Sequence, residues 1–192
     1  MAETRPGTDP GRILAALNRH RVDYVLVGGM AAALHGAHPR PGDLDVVLAR
    51  HRRNLVRLSP ALTELEARMP FPGRPEPLVF THDPSSLGRM LGAVESINLV
   101  TPYGPLGIVV EQPGLAGYRH LRRHAVAGRL DGVPVRVASL DDLIRSRQAT
   151  GPAELDAVAS LQHLRERQEP TRALQIEPRP HQEELEPPWL GL

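Results

Sequence analysis

The chain has 192 residues and a formal net charge of +1, enough for one domain with a real core and too balanced for strong nonspecific attachment to nucleic acid. It has no cysteine, which excludes disulfides, thiolate zinc sites and cysteine nucleophiles. All 23 Lys or Arg positions are arginine, so a Walker A loop is excluded and lysine-based kinase or Schiff-base chemistry is disfavoured.

The N-terminal stretch MAETRPGTDPGR has no apolar core of a signal peptide, and no apolar run reaches membrane-spanning length. A cytoplasmic protein with no membrane partner is the expectation. Residues 1–8 are expected to be disordered. Thr8 or Asp9 then caps a helix with Pro10 at its first position, and Ile13, Leu14 and Leu17 form its apolar stripe. Val22–Val27 is a compact β-branched run and predicts a buried strand. Gly28-Gly29 turns it into a short helix, Met30–His35, ended near Gly36. Leu44–Leu48 is the second strand, with Asp43 and Asp45 at its start. Leu55, Leu58, Leu62 and Leu65 mark a helix over Asn54–Met69, with a break near Pro60.

A proline-rich loop follows at Pro70–Pro77, then a short strand at Leu78–Thr81 and one or two helical turns at Ser85–Leu91. Ser96–Thr101 and Leu106–Val110 pair around the turn Pro102-Tyr103-Gly104-Pro105. Tyr118–Ala125 is helical, and Asp131-Gly132 makes a hairpin of Val126–Leu130 and Val133–Val137. Ser139, with Asp142 three residues on, caps Leu140–Gln148; Gly151-Pro152 separates that helix from Ala153–Arg167. The tail over 169–192 carries five prolines and is expected to be disordered. Strands and helices mix without strict βαβ alternation, which predicts an α+β, or mixed α/β, sheet with flanking helices and a short C-terminal helical segment. The domain is expected to span residues 9–168.

Alternation along a strand points Asp43 and Asp45 the same way. Two adjacent carboxylates repel unless a cation joins them, and hard divalent ions take such oxygen ligands. The Gly28-Gly29 turn offers backbone N–H groups suited to phosphate. Arg40 stands three residues before Asp43 and is either a phosphate partner or a surface-loop arginine.

LVGGMAAALHG followed by GDLDVVL resembles the signature of the nucleotidyltransferase superfamily, most of all its small bacterial branch with the AbiE-type and Men-type toxins. INLVTPYGPLGIVVEQPGLAGYRHL and VRVASLDDLIRSRQA resemble later blocks of that branch, so the likeness covers roughly residues 10–165. It implies a nucleotidyltransferase-like mixed sheet. It implies Asp43 and Asp45 as catalytic residues and ligands of Mg²⁺ (or Mn²⁺), with Gly28, Gly29, Arg40 and Arg147 toward the nucleotide. The implied reaction transfers NMP from an NTP to a hydroxyl of an RNA (tRNA) or a protein, as a toxin with an antitoxin partner.

Three departures matter. Pro41 stands where members often have threonine, Gly107 where many carry a third carboxylate, and Arg147 where many carry lysine. Glu111 is four residues beyond Gly107, roughly 13 Å along a strand, too far to replace it simply. A noncatalytic nucleotide- or RNA-binding module of the same fold is the alternative, and a regulatory partner acting through its surface and tail is a third. Arginines cluster at Arg50, Arg52, Arg53 and Arg57 and again at Arg119, Arg122, Arg123 and Arg129, as solvated helix faces or as an RNA surface. His120 and His124 are one helical turn apart; with no third ligand evident they read as surface histidines.

Overall fold

A computed structural model describes residues 8–37, 41–167 and 174–176. The elements are α1 (Pro10–Arg19), β1 (Tyr24–Val27), α2 (Gly28–Leu34), β2 (Leu44–Leu48), α3 (Arg52–Glu64), α4 (Pro84–Ala93), β3 (Ser96–Thr101), β4 (Gly104–Val109), α5 (Tyr118–His124), β5 (Val126–Leu130), β6 (Val133–Val137), α6 (Leu140–Thr150), a 3₁₀ turn (Pro152–Glu154), α7 (Leu155–Arg167) and β7 (Leu174–Ile176). The strands form one mixed sheet in the order β3-β4-β2-β1-β6-β5-β7, as the mixture of local patterns predicts.

The register places the site. Val27 of β1 pairs with Asp45 of β2 in an antiparallel ladder. Asp45 pairs in parallel with Gly107 of β4, and Gly107 pairs with Asn98 of β3. Paired residues share a face of the sheet, so Val27, Asp45, Gly107 and Asn98 stand in one row. Leu44, Leu99 and Leu106 make the next row and are fully buried. Ile13, Leu14 and Leu17 of α1 and Leu58 and Leu62 of α3 join them in one core. Truncating such a leucine to alanine costs about 2–5 kcal/mol.

Caps set the helix starts. Asp9 accepts the Arg12 N–H at 3.1 Å with Pro10 at the first position of α1. Ser139 Oγ accepts the Asp142 N–H at 3.2 Å at α6. Asn54, fully buried in the first turn of α3, accepts the Asp23 N–H at 2.7 Å and donates to the carbonyls of Asp23 (2.9 Å) and Ala49 (2.8 Å). It thereby ties the entry to β1 to the exit from β2. At the other end of β1, His35 Nε2 donates to the Ala138 carbonyl at 2.9 Å and anchors the end of α2.

Several boundaries differ from expectation. Asp43 lies just ahead of β2 rather than in it. The third helix is Arg52–Glu64 and runs through Pro60; Pro60 is exposed, so the carbonyl it leaves unpaired faces water and no break results. The strand expected at Leu78–Thr81 is a single bridge, Met69 to Leu78. In the tail, Leu174–Ile176 pairs in parallel with β5, so those three residues are ordered by backbone hydrogen bonds that composition does not reveal. The rest of the tail, and the N-terminal stretch through residue 7, lie outside the described residues.

Candidate metal and nucleotide site

Asp45 is the centre of the acidic end. Gly28, which ends β1 and opens α2, has φ +67°, a left-handed conformation that favours glycine. A Cβ there would collide with Asp45 Oδ2, and a Cβ at Gly107 would collide with Asp45 Oδ1. The carboxylate is therefore seated between two residues that lack side chains. It is half-buried, and no hydrogen bond or ion pair among the described residues reaches it. Burial, and then the negative charge of Asp43, push its carboxyl up to about 6. Asp43 itself is exposed.

This donor set fits a hard divalent cation. Two carboxylates repel across the site, one of them lacks a donor, and an ion would relieve both. At the position of the third carboxylate, Gly107 offers nothing. The oxygen of the row is instead Asn98 Oδ1, 3.7 Å from where a Cβ of Gly107 would stand. Glu111 follows β4 as an exposed residue. The cross-strand neighbour thus comes nearer to the gap than the residue four positions on, a relation visible only once the register of β3 on β4 is known.

A cavity of about 180 Å³ brings together Gly28, Asp45 and Arg147, with Gln112, Ser146 and Glu154. That is small beside the 300–1,000 Å³ of ordinary ligand clefts. Arg147 is ion-paired with Glu154, so a phosphate must compete with a carboxylate for its guanidinium. Gln112 Nε2 donates to Ser146 Oγ at 3.0 Å. Sequence reasoning missed Gln112, Ser146 and Glu154. Thr150 and Ser146 stand one turn apart on α6 and both line this cavity, so helical spacing around Arg147 held a usable signal.

The remaining expected residues divide. Gly29 is apart from this cavity and packs on the loop before Asp43: its Cβ would stand 3.0 Å from Pro41 Cγ. A ring at 41 therefore takes the place of the hydroxyl expected there. Arg40 lies outside the described residues. The helix behind the Gly-Gly turn is only seven residues long, so any phosphate would rely on individual N–H groups more than on a helix dipole.

The two arginine clusters converge. Arg50 and His51 border the same cavity, about 930 Å³, as Arg119, His120 and Arg122. It lies where β2 ends, and Asp45 is near where β2 begins, some four residues or ~13 Å away. The histidine pair also has the third neighbour that sequence did not offer: ligand atoms of His120, His124 and Asp142 lie within 4.8 Å of one another. Asp142 is buried and already engaged. Ser139 Oγ donates to its Oδ2 at 2.7 Å, and Arg145 Nη2 to its Oδ1 at 3.1 Å, the oxygen that also faces His120 Nε2 at 3.1 Å. With its charge neutralised by Arg145, the carboxylate serves to fix His120 at the cavity wall.

No helix among the described residues is long and apolar enough to cross a membrane. No protein-family model and no curated protein matches the chain. Solved structures do resemble it. A Thermotoga maritima protein assigned as a nucleotidyltransferase aligns with TM-score 0.44 and 16% identity over 81% of this chain and 87% of its own. An antigenic nucleotidyltransferase-like protein of Paracoccidioides brasiliensis aligns with TM-score 0.43 and 19% identity over 85% of this chain and 78% of its own. ANT(2″)-Ia, crystallised with adenylyl-2″-tobramycin, aligns with TM-score 0.42 and 15% identity over 80% of this chain and 91% of its own. At likeness of this degree, the residues around Asp45 carry the functional reading.

Proposed function

We propose that the chain binds an NTP with Mg²⁺ (or Mn²⁺) at Asp43 and Asp45 and transfers NMP to an acceptor hydroxyl. One observation carries the reading: the half-buried carboxylate of Asp45 has no partner among the described residues, is seated between Gly28 and Gly107, and shares a cavity with Arg147. A divalent ion bound there would neutralise triphosphate charge and align the displacement. Asp43 and Asp45 supply oxygens to hold it. Gly28 makes room for the Asp45 carboxylate beside the same cavity, and Arg147 exchanges Glu154 for phosphate. The acceptor oxygen forms a bond to the α-phosphorus, the α–β bridging P–O bond breaks, pyrophosphate leaves and the hydroxyl proton passes to solvent. An RNA or protein acceptor, a toxin role and an antitoxin partner belong to this reading through the family resemblance.

The experiment is incubation of the chain with each α-labelled NTP, Mg²⁺ and total RNA or cell lysate, beside the double variant Asp43→Asn/Asp45→Asn. Label transfer by the wild type alone is the expected result; failure of any NTP to bind with Mg²⁺ would sink the reading. A second reading, a noncatalytic nucleotide- or RNA-binding module, is favoured by Gly107 and by the Arg147–Glu154 pair. Metal-dependent nucleotide binding without transfer to any acceptor would select it.

A further inference from the structure

At the end of β2 remote from Asp45, two cavities run into one another. The larger, about 930 Å³, includes Arg50 and Arg119 in its walls. The smaller, about 550 Å³, includes Arg57 and Arg136. Asp23, Tyr118 and Arg122 border both, so the two make one groove with Tyr118 at its middle. Each cavity alone has the size of a small-molecule site; end to end they suit a chain-like ligand.

The groove is positive in a specific way. Among the described residues, Asp23 is the one carboxylate in its walls, and Arg57 neutralises it at 2.9 Å. Arg50, Arg119 and Arg136 have no acidic partner among the described residues. His51 Nδ1 accepts the Asn54 N–H at 3.2 Å, and its Nε2 stands 3.9 Å from the Asp23 carboxylate. Three unpaired guanidiniums spread along one groove match a series of phosphates better than a single one. Tyr118 is half-buried and borders both cavities together with Arg122, and an aromatic ring between cations is the usual platform for an unpaired base.

We propose that this groove binds a single strand of nucleic acid without metal, its phosphates on Arg50, Arg119 and Arg136 and a base against Tyr118. The proposal is independent of the metal site, so either can fail alone.

The test is fluorescence anisotropy of a labelled 12-nucleotide single-stranded RNA with the full chain in EDTA, at several NaCl concentrations. Three phosphate contacts give a slope of log K against log salt of about −2. Arg50→Ala/Arg119→Ala should weaken binding at least tenfold and bring the slope nearer zero by about 1.4. Tyr118→Leu should weaken it roughly tenfold with the slope unchanged. Asp43→Asn/Asp45→Asn should bind as wild type does. Circular dichroism and melting of each variant separate lost binding from lost folding. Undiminished binding by a folded arginine double variant would overturn the proposal, as would binding that requires Mg²⁺ and disappears with the aspartates. Equal affinity for a duplex of the same length would reduce the groove to a generally basic surface and overturn it too.

Discussion

The two ends of β2 are electrostatic opposites. Near its start, Asp45 is half-buried, seated between two glycines, and raised to about 6 by burial and by Asp43. Past its end, Arg50 and the arginines of α5 surround a groove with one neutralised carboxylate. The acidic end stores unfavourable charge that a cation would relieve. The basic end keeps its charges near water and is ready for an anion as it stands. Ligand binding should therefore depend on metal and pH at one end, and on salt at the other.

Separating the ends by mutation has the largest expected effect. Asp43→Asn/Asp45→Asn should lower Mg²⁺-dependent NTP affinity at least a hundredfold in calorimetry, or about 2.7 kcal/mol, and leave RNA binding unchanged. Loss of both together would mean one continuous site.

Stability gives the next test. Asp45 has its carboxyl at about 6 in the folded chain against 3.8 for the free group. The folded state takes up this proton first, so the cost of the ionised group is full above pH 6, fades between 6 and 3.8, and is gone below. Asp45→Asn should accordingly stabilise the metal-free chain at pH 7.5 by about 2 kcal/mol after allowance for solvent screening. That corresponds to a few degrees in melting temperature, and the gain should vanish at pH 3.5 if the chain is still folded there. An equal gain at both pH values would show that the stored charge is not at Asp45.

Gly107→Asp should sharpen the acidic end. The new side chain must displace Asp45 Oδ1, the end of a rotatable group, so the fold should hold. Mn²⁺ affinity should rise about tenfold, as expected for one further oxygen ligand. No gain in a folded variant would mean that Asn98 already serves there. The smallest effect belongs to Asp9→Ala. It removes the exposed side-chain cap of α1 and should cost about 1 kcal/mol, with NTP and RNA affinities both within twofold.

Most of the architecture is legible in the chain because its signals are local. Asp9-Pro10, Ser139 with Asp142, and Asp131-Gly132 each announce a boundary by their own hydrogen-bonding or φ requirements. The Gly28 turn and the neighbouring Asp45 could be read together because only a loop and a seven-residue helix separate them. Pro60 misled because its effect depends on which side of the helix meets water. Asn98 beside Gly107, the joining of Arg50 with Arg119, and Asp142 under His120 are nonlocal. They follow from strand order and helix docking, on which spacing along the chain is silent. Leu174–Ile176 was hidden for the same reason, since its order comes from β5.

Asn54 gives the basic groove its timing. By holding the Asp23 N–H and the carbonyls of Asp23 and Ala49, it fastens together the two backbone segments that lead to Asp23 and to Arg50. Those segments cannot drift apart when the groove is empty, so this part of the wall is preorganised and the ordering entropy of capture falls mainly on the incoming strand. Encounter should then be governed by diffusion and charge steering, with association rates on the order of 10⁸ M⁻¹s⁻¹ at low salt. Affinity differences among sequences would reside in how long each stays bound.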